Sequence, residues 1–249
     1  MLHNDGQRLP QYESQERGRL ICMVGLPCSG KSSVTNELRD ILQMTAFCEP
    51  EEPAWAECVT QRDLSGRFNA HMWFRSIRTC QLYQADILVK QGQTVLVDSY
   101  LDKLLHFCLG RHGMNWLLSP EDPYFDVARY MAHIDLEVLP LADYLIFFDL
   151  EHQTWHKLLK TRSRKIESGL FTDDVFCMQD HLREGVEFLK NTHGVKVITI
   201  RNQCSSPKET AERLKRFFHN DASISLDRRA CLLPNIGEEL GEKNLTTTF

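Results

Sequence analysis

Short apolar runs alternate with longer stretches of amphipathic periodicity along most of the chain, the pattern of a parallel sheet covered on both faces by helices. Five runs, residues 20–24, 45–48, 94–97, 144–148 and 195–200, predict strands, each bounded by polar residues or glycine and mostly β-branched or aromatic. Between and after them, 31–42, 69–91, 123–139, 152–160, 173–190 and 208–219 predict helices. Gly92 and Gly194 stand where helix C-caps belong, just ahead of the third and fifth strands. Periodicity fades after Phe217 and Phe218. The expected organisation is therefore a polar tail over 1–18, one α/β domain over 19–220 and a C-terminal extension over 221–249, with no internal repeat.

Composition narrows the class. With 249 residues, 42% hydrophobic and 25% charged, the chain is long enough to bury a full core and unlike disordered, collagenous or membrane sequences. A net charge of −5 argues against a surface spread over nucleic acid or an anionic membrane. No apolar run approaches the roughly 18 residues of a membrane span, and the first residues lack the apolar core of a signal peptide, which points to the cytoplasm. The nine cysteines are odd in number and form no CxxC pair. They read as reduced thiols, mostly core fillers, as at Cys22, Cys80, Cys108 and Cys177.

The strongest chemical signal follows the first strand. Gly25-Leu26-Pro27-Cys28-Ser29-Gly30-Lys31-Ser32-Ser33 fits GxxxxGK[ST] in full and opens a helix. Such a loop curls so that successive N–H groups face phosphate oxygens, backed by the positive end of the helix dipole. Lys31 is expected on the β- and γ-phosphates, and the Ser32 hydroxyl on Mg²⁺. The guanine-reading NKxD of GTPases is absent, and the DxxG at Asp63–Gly66 has no such partner. At this size the remaining choice is a small-molecule phosphotransferase using ATP.

Such an enzyme needs a base at the acceptor hydroxyl, a carboxylate near the metal and cations over the transferring group. Glu49 after the second strand and Asp98 at the end of the third would both lie at the carboxyl edge of the sheet, beside the P-loop. Glu52 competes with Glu49 for the role of base. Lys160, Arg162, Arg164 and Lys165 crowd the end of the helix after strand four, where a closing lid would bring an arginine to the γ-phosphate. His152 and His156 share a helix face at metal-chelating spacing but lack a third ligand, so they read as surface residues. His106, Phe107, Trp116, Tyr124 and Tyr130 read as core packing, with one or two at a pocket rim.

In this order, these residues resemble the deoxynucleoside kinase and thymidylate kinase family of P-loop phosphotransferases, over about 20–188. Cys48-Glu49-Pro50 followed by Trp55 resembles the family's EPVxxW, one residue longer; the resemblance implies Glu49 as base and Trp55 in the nucleoside pocket. His71-Met72-Trp73-Phe74-Arg75-Ser76 resembles the helical segment that reads the nucleobase. Asp98-Ser99-Tyr100 stands in place of the DR or ERS motif, and Arg162-Ser163-Arg164 with Glu167 is similar to the lid RxRxEE. Two departures bear on substrate. Arg75 stands where deoxynucleoside kinases carry a base-pairing glutamine, with Arg78 near the thymidylate kinase arginine. Ser99 replaces the arginine after the strand-three acid. The resemblance implies a five-stranded P-loop kinase sandwich with a helical lid, frequently a homodimer. It would bind ATP and Mg²⁺ through Gly25, Cys28, Ser29, Gly30, Lys31, Ser32, Ser33 and Asp98, and its acceptor through Glu49, Trp55, Phe74, Arg75 and Arg78. The expected acceptor is a (deoxy)nucleoside. The alternatives are a nucleoside monophosphate, a non-nucleotide hydroxyl, or no acceptor at all in a nucleotide-binding regulator.

Overall fold

The computed structural model describes residues 17–161, 173–201 and 206–221. In chain order the elements are β1 (Leu20–Gly25), α1 (Lys31–Leu42), β2 (Thr45–Phe47), a 3₁₀ turn at Glu52–Ala54, α2 (Glu57–Thr60), α3 (Arg62–Ser65), α4 (Arg67–Lys90) and β3 (Val95–Val97). There follow α5 (Leu101–Leu104), a 3₁₀ turn at Leu105–Phe107, α6 (Phe125–Val138), β4 (Tyr144–Phe148), α7 (His152–Thr161), a 3₁₀ turn at Asp173–Cys177, α8 (Met178–His193), β5 (Lys196–Ile200) and α9 (Pro207–Asn220). All five expected strands form one parallel sheet, in the order β2-β3-β1-β4-β5.

This order follows from apolar content. β1, β3 and β4 are buried along essentially their whole length and take the centre, whereas β2 and β5 are only partly covered and form the edges. The chain steps outward from β1 to β2 in one direction and then across to β3, β4 and β5 in the other. Right-handed crossovers therefore place α1 on one face and α4, α6 and α8 on the opposite one. Packing agrees, with α9 against α1 and α5 against both α6 and α8. One apolar core runs through both layers. No helix among the described residues is long and apolar enough to cross a membrane.

Three expectations need correction. Cys22 and Cys108 are buried free thiols, but Cys80 lies on the exposed face of α4 and fills no core. Tyr124 and Tyr130 are also exposed; with Val127, Ile134 and Val138 they form an apolar stripe along α6, spaced three and four residues apart. The long helix predicted to start at 69 starts at Arg67, because Gly66 at φ 87 supplies the turn that separates it from α3.

Candidate active site

The P-loop joins β1 to α1. Gly25 pairs with Phe148 of β4, and a Cβ there would sit 2.8 Å from the Phe148 Cβ and 2.9 Å from Ser29 Oγ, so only glycine fits this close approach. Gly30, at φ 89, opens α1 without a side-chain cap, and the first turn carries no acidic residue. The leading N–H groups of α1 and its positive dipole end are thus left for an anion. Lys31 folds back over the loop, its Nζ donating to the carbonyls of Gly25 at 3.0 Å and Leu26 at 2.8 Å.

A cavity opens from this loop along the carboxyl edge of the sheet. Gly25, Cys28, Lys31 and Ser32 line one end; Glu49, Trp55, Phe74 and Arg78 line the other. The sequence thus placed two separate groups of candidates that the fold brings into one space. Trp55 is edge-on to Phe74, centroids 5.5 Å apart, with its indole N–H on the Pro50 carbonyl at 2.9 Å. Glu51 lines the cavity and Glu52 does not, because Glu52 starts the 3₁₀ turn. Ser29 is buried behind the loop, and Ser29, Gly30, Ser33 and Asp98 are not among the lining residues.

At the end of the cavity lined by Glu49, charge is organised around Arg78. Its Nε and Nη2 donate to both oxygens of buried Asp102 at 2.6 and 3.0 Å, and its Nη1 donates to Glu49 Oε1 at 3.2 Å. Burial opposes the guanidinium's charge, yet Asp102 and Glu49 together hold its pKa above the ordinary value. Burial likewise pushes Asp102 up, and Arg78 overrides it, leaving that carboxyl below its ordinary value. Neighbouring His71 is buried with Nδ1 lacking a hydrogen-bond partner, and burial, followed by the charge of Arg78, lowers its pKa to about 4. It faces the cavity as a neutral imidazole at physiological pH.

Asp98 lies just past β3, fixed there by its backbone N–H on the Phe47 carbonyl at 2.9 Å. Both carboxylate oxygens are buried without a hydrogen bond of normal geometry. Burial raises its pKa, the nearby Lys31 charge opposes this, and Glu49 adds to the rise. A buried carboxylate short of partners, close to the Ser32 hydroxyl and the P-loop, is a donor set that suits Mg²⁺. The linkage has a definite sign. A folded-state pKa raised above the unfolded ~3.9 means stability is lost as pH climbs from there through the folded value. Asp98→Asn is expected to raise the melting temperature at pH 7, with the gain vanishing below about pH 4. A variant melting lower than the parent at pH 7 would contradict this.

Arg75 is placed elsewhere. It points toward α6, where Nε and Nη2 bind buried Asp135 at 2.7 and 2.6 Å, and it does not line the cavity. Position 75 is one helical step off the face that carries His71, Phe74 and Arg78. Arg75→Met would leave Asp135 as an unpaired buried carboxylate. The expected loss is about 3 kcal/mol, or roughly 6–12 °C in melting temperature, with acceptor KM unchanged. Arg162 and Arg164 lie outside the described residues. His152 is exposed and His156 half-buried, with Nε2 atoms 3.1 Å apart, and no cluster of three metal-ligating side chains occurs among the described residues.

Sequence reasoning missed Asp102, Arg62, Arg67, Met178 and Leu182. The last four line the cavity from distant segments, and Asp102 carried no motif. Trp116, expected in the core or at a rim, lines the cavity with Leu117, and Arg67 binds its carbonyl.

No family model matches the chain, and no curated protein matches it. Solved structures do. A deoxyadenosine kinase from M. mycoides with dCMP and dCDP superposes with a TM-score of 0.60 at 18% identity, over 80% of this chain and 98% of that one. The same enzyme with dATP gives 0.57 at 20% identity, over 80% and 99%. A thymidylate kinase from Candida albicans gives 0.54 at 17% identity, over 83% and 93%.

Proposed function

The fold is that of the deoxynucleoside and thymidylate kinase-like P-loop proteins, and from it we propose that this chain is an ATP- and Mg²⁺-dependent kinase that phosphorylates a hydroxyl of a (deoxy)nucleoside. The observation that carries the reading is the shared cavity. Glu49 and the Trp55–Phe74 pair open onto the same space as Lys31 and Ser32, which supports an acceptor held at one end with its hydroxyl directed toward a phosphoryl group at the other.

The α1 N-terminus and the Lys31 ammonium hold the phosphates, and Lys31 must leave its loop carbonyls to do so. Glu49 accepts the proton of the acceptor hydroxyl, oriented by the Arg78 Nη1. Ser32 and Asp98 would hold Mg²⁺, which would offset the charge of the phosphates. Arg162 and Arg164 are assigned to the γ-phosphate by resemblance alone.

A nucleoside is favoured over its monophosphate because neither arginine expected to grip an acceptor phosphate is available for it. Arg75 is bound to Asp135, and Arg78 to Asp102 and Glu49. The test is phosphate transfer from labelled ATP with Mg²⁺ to a panel of nucleosides, their 5′-monophosphates and other hydroxylated metabolites. Transfer to nucleosides is expected. Transfer to monophosphates alone would replace the reading with a thymidylate kinase-like one, and transfer only to non-nucleotide hydroxyls would shift the acceptor class. ATP binding with no transfer would leave a nucleotide-binding regulator.

A further inference from the structure

We infer that Trp155 is a positioning residue of the phosphate cradle, acting through the Pro27–Cys28 peptide. The inference rests on the P-loop binding a nucleotide, as proposed above. Trp155, in the first turns of α7, is fully buried, and its indole N–H donates to the Pro27 carbonyl at 2.8 Å across 128 residues of sequence. Trp155 does not line the cavity, whereas Pro27 and Cys28 both do. In a planar trans peptide the carbonyl and the following N–H point in opposite directions. Drawing the Pro27 oxygen outward to the indole therefore turns the Cys28 N–H inward, to the side on which phosphates sit.

The anchor is needed here because of the local sequence. Pro27 has no N–H of its own to offer a phosphate, so the cradle depends on the next peptide along. Cys28 occupies the left-handed region at φ 61, a conformation costly for a non-glycine residue unless its surroundings hold it. The indole is itself fixed. Its backbone N–H bonds the Glu151 carbonyl at 3.0 Å, and Phe176 lies beside the ring at 5.7 Å between centroids. The turn into α7 is clamped by buried Gln179, whose amide accepts from Leu150 N–H at 3.0 Å and donates to the Leu150 carbonyl at 2.6 Å. The P-loop and the 3₁₀ turn ahead of α8 thus meet at one α7 side chain that lies outside the cavity.

Two variants test this. Trp155→Phe removes the N–H and some volume; replacing Trp155 by benzothienylalanine through nonsense suppression removes the N–H alone. The readouts are the dissociation constant of a fluorescent ATP analogue measured without acceptor, the KM for ATP against that for the acceptor, and the melting temperature. Nucleotide affinity should fall roughly three- to tenfold, the span of one hydrogen bond, and ATP KM should rise in step. Acceptor KM should stay unchanged. Should Trp155→Phe fail to fold, the isosteric variant decides. Unchanged nucleotide affinity in the isosteric variant, or equal losses for both ligands, would overturn the inference while leaving the kinase reading intact. A parent protein that binds no nucleotide would instead overturn the kinase reading, and the inference with it.

Discussion

Lys31→Ala is expected to lower turnover by about 10³-fold or more while leaving the fold intact. The ammonium is the one side-chain cation within the P-loop itself, where, in the proposed transfer, negative charge would shift from the γ- to the β-phosphate oxygens as the bond breaks. Its structural role is minor. It donates to two loop carbonyls, and that of Gly25 belongs to a cavity-lining residue where water can take its place. Alanine also suits the first position of α1. The melting temperature should therefore move by only a few degrees, and the circular dichroism spectrum should be unchanged. Retention of full phosphoryl transfer would remove the P-loop from the chemistry altogether.

Glu49→Gln should cost on the order of 10²- to 10⁴-fold in kcat, the range a positioned general base contributes. The amide keeps an oxygen for the Arg78 Nη1, so the geometry at 3.2 Å can persist while the capacity to take a proton is lost. Arg78 remains paired with Asp102, which limits the loss of stability, and a carboxylate one-third exposed to solvent contributes little by its charge alone. Nucleotide affinity, measured without acceptor, should be unaffected. Glu52→Gln serves as the control because Glu52 lies outside the cavity, and its kinetics should match the parent. A larger loss for Glu52→Gln than for Glu49→Gln would transfer the role of base to Glu52.

The legibility of this chain differs between its layers. The strands could be read because β1, β3 and β4 must be apolar throughout to lie between two helical layers, and the P-loop could be read because its spacing is tied to backbone curvature. The positions of Glu49 and Asp98 were legible through their strands, since a residue just beyond a parallel strand lands at the carboxyl edge of the sheet. Arg75 and Arg78 were less so. One turns to Asp135 and the other to Asp102, a difference set by the 100° step of the helix and by acids 60 and 24 residues further on. No local pattern announces such partners. The cavity lining from α8 and from Trp116 is equally nonlocal, as is the bond from Trp155 to Pro27. The exposed tyrosines of α6 were misread because aromatic content suggests burial, whereas exposure depends on which helix face is covered.

The central position of β1 also bears on how the chain is made. β1 is the first element formed, but its register partners are Val95 to Val97 on one side and Tyr144 to Phe148 on the other. Ile21 meets Tyr144 only after 123 further residues have been synthesised, about 6–25 s at ordinary rates of translation. Through that interval the β4 edge of an apolar strand lacks its native neighbour, and the β3 edge lacks its own until Val95–Val97 are made; long-range parallel pairing is slow to form even on a completed chain. The strand that leads into the P-loop is thus a part of the nascent protein that depends on shielding from premature association.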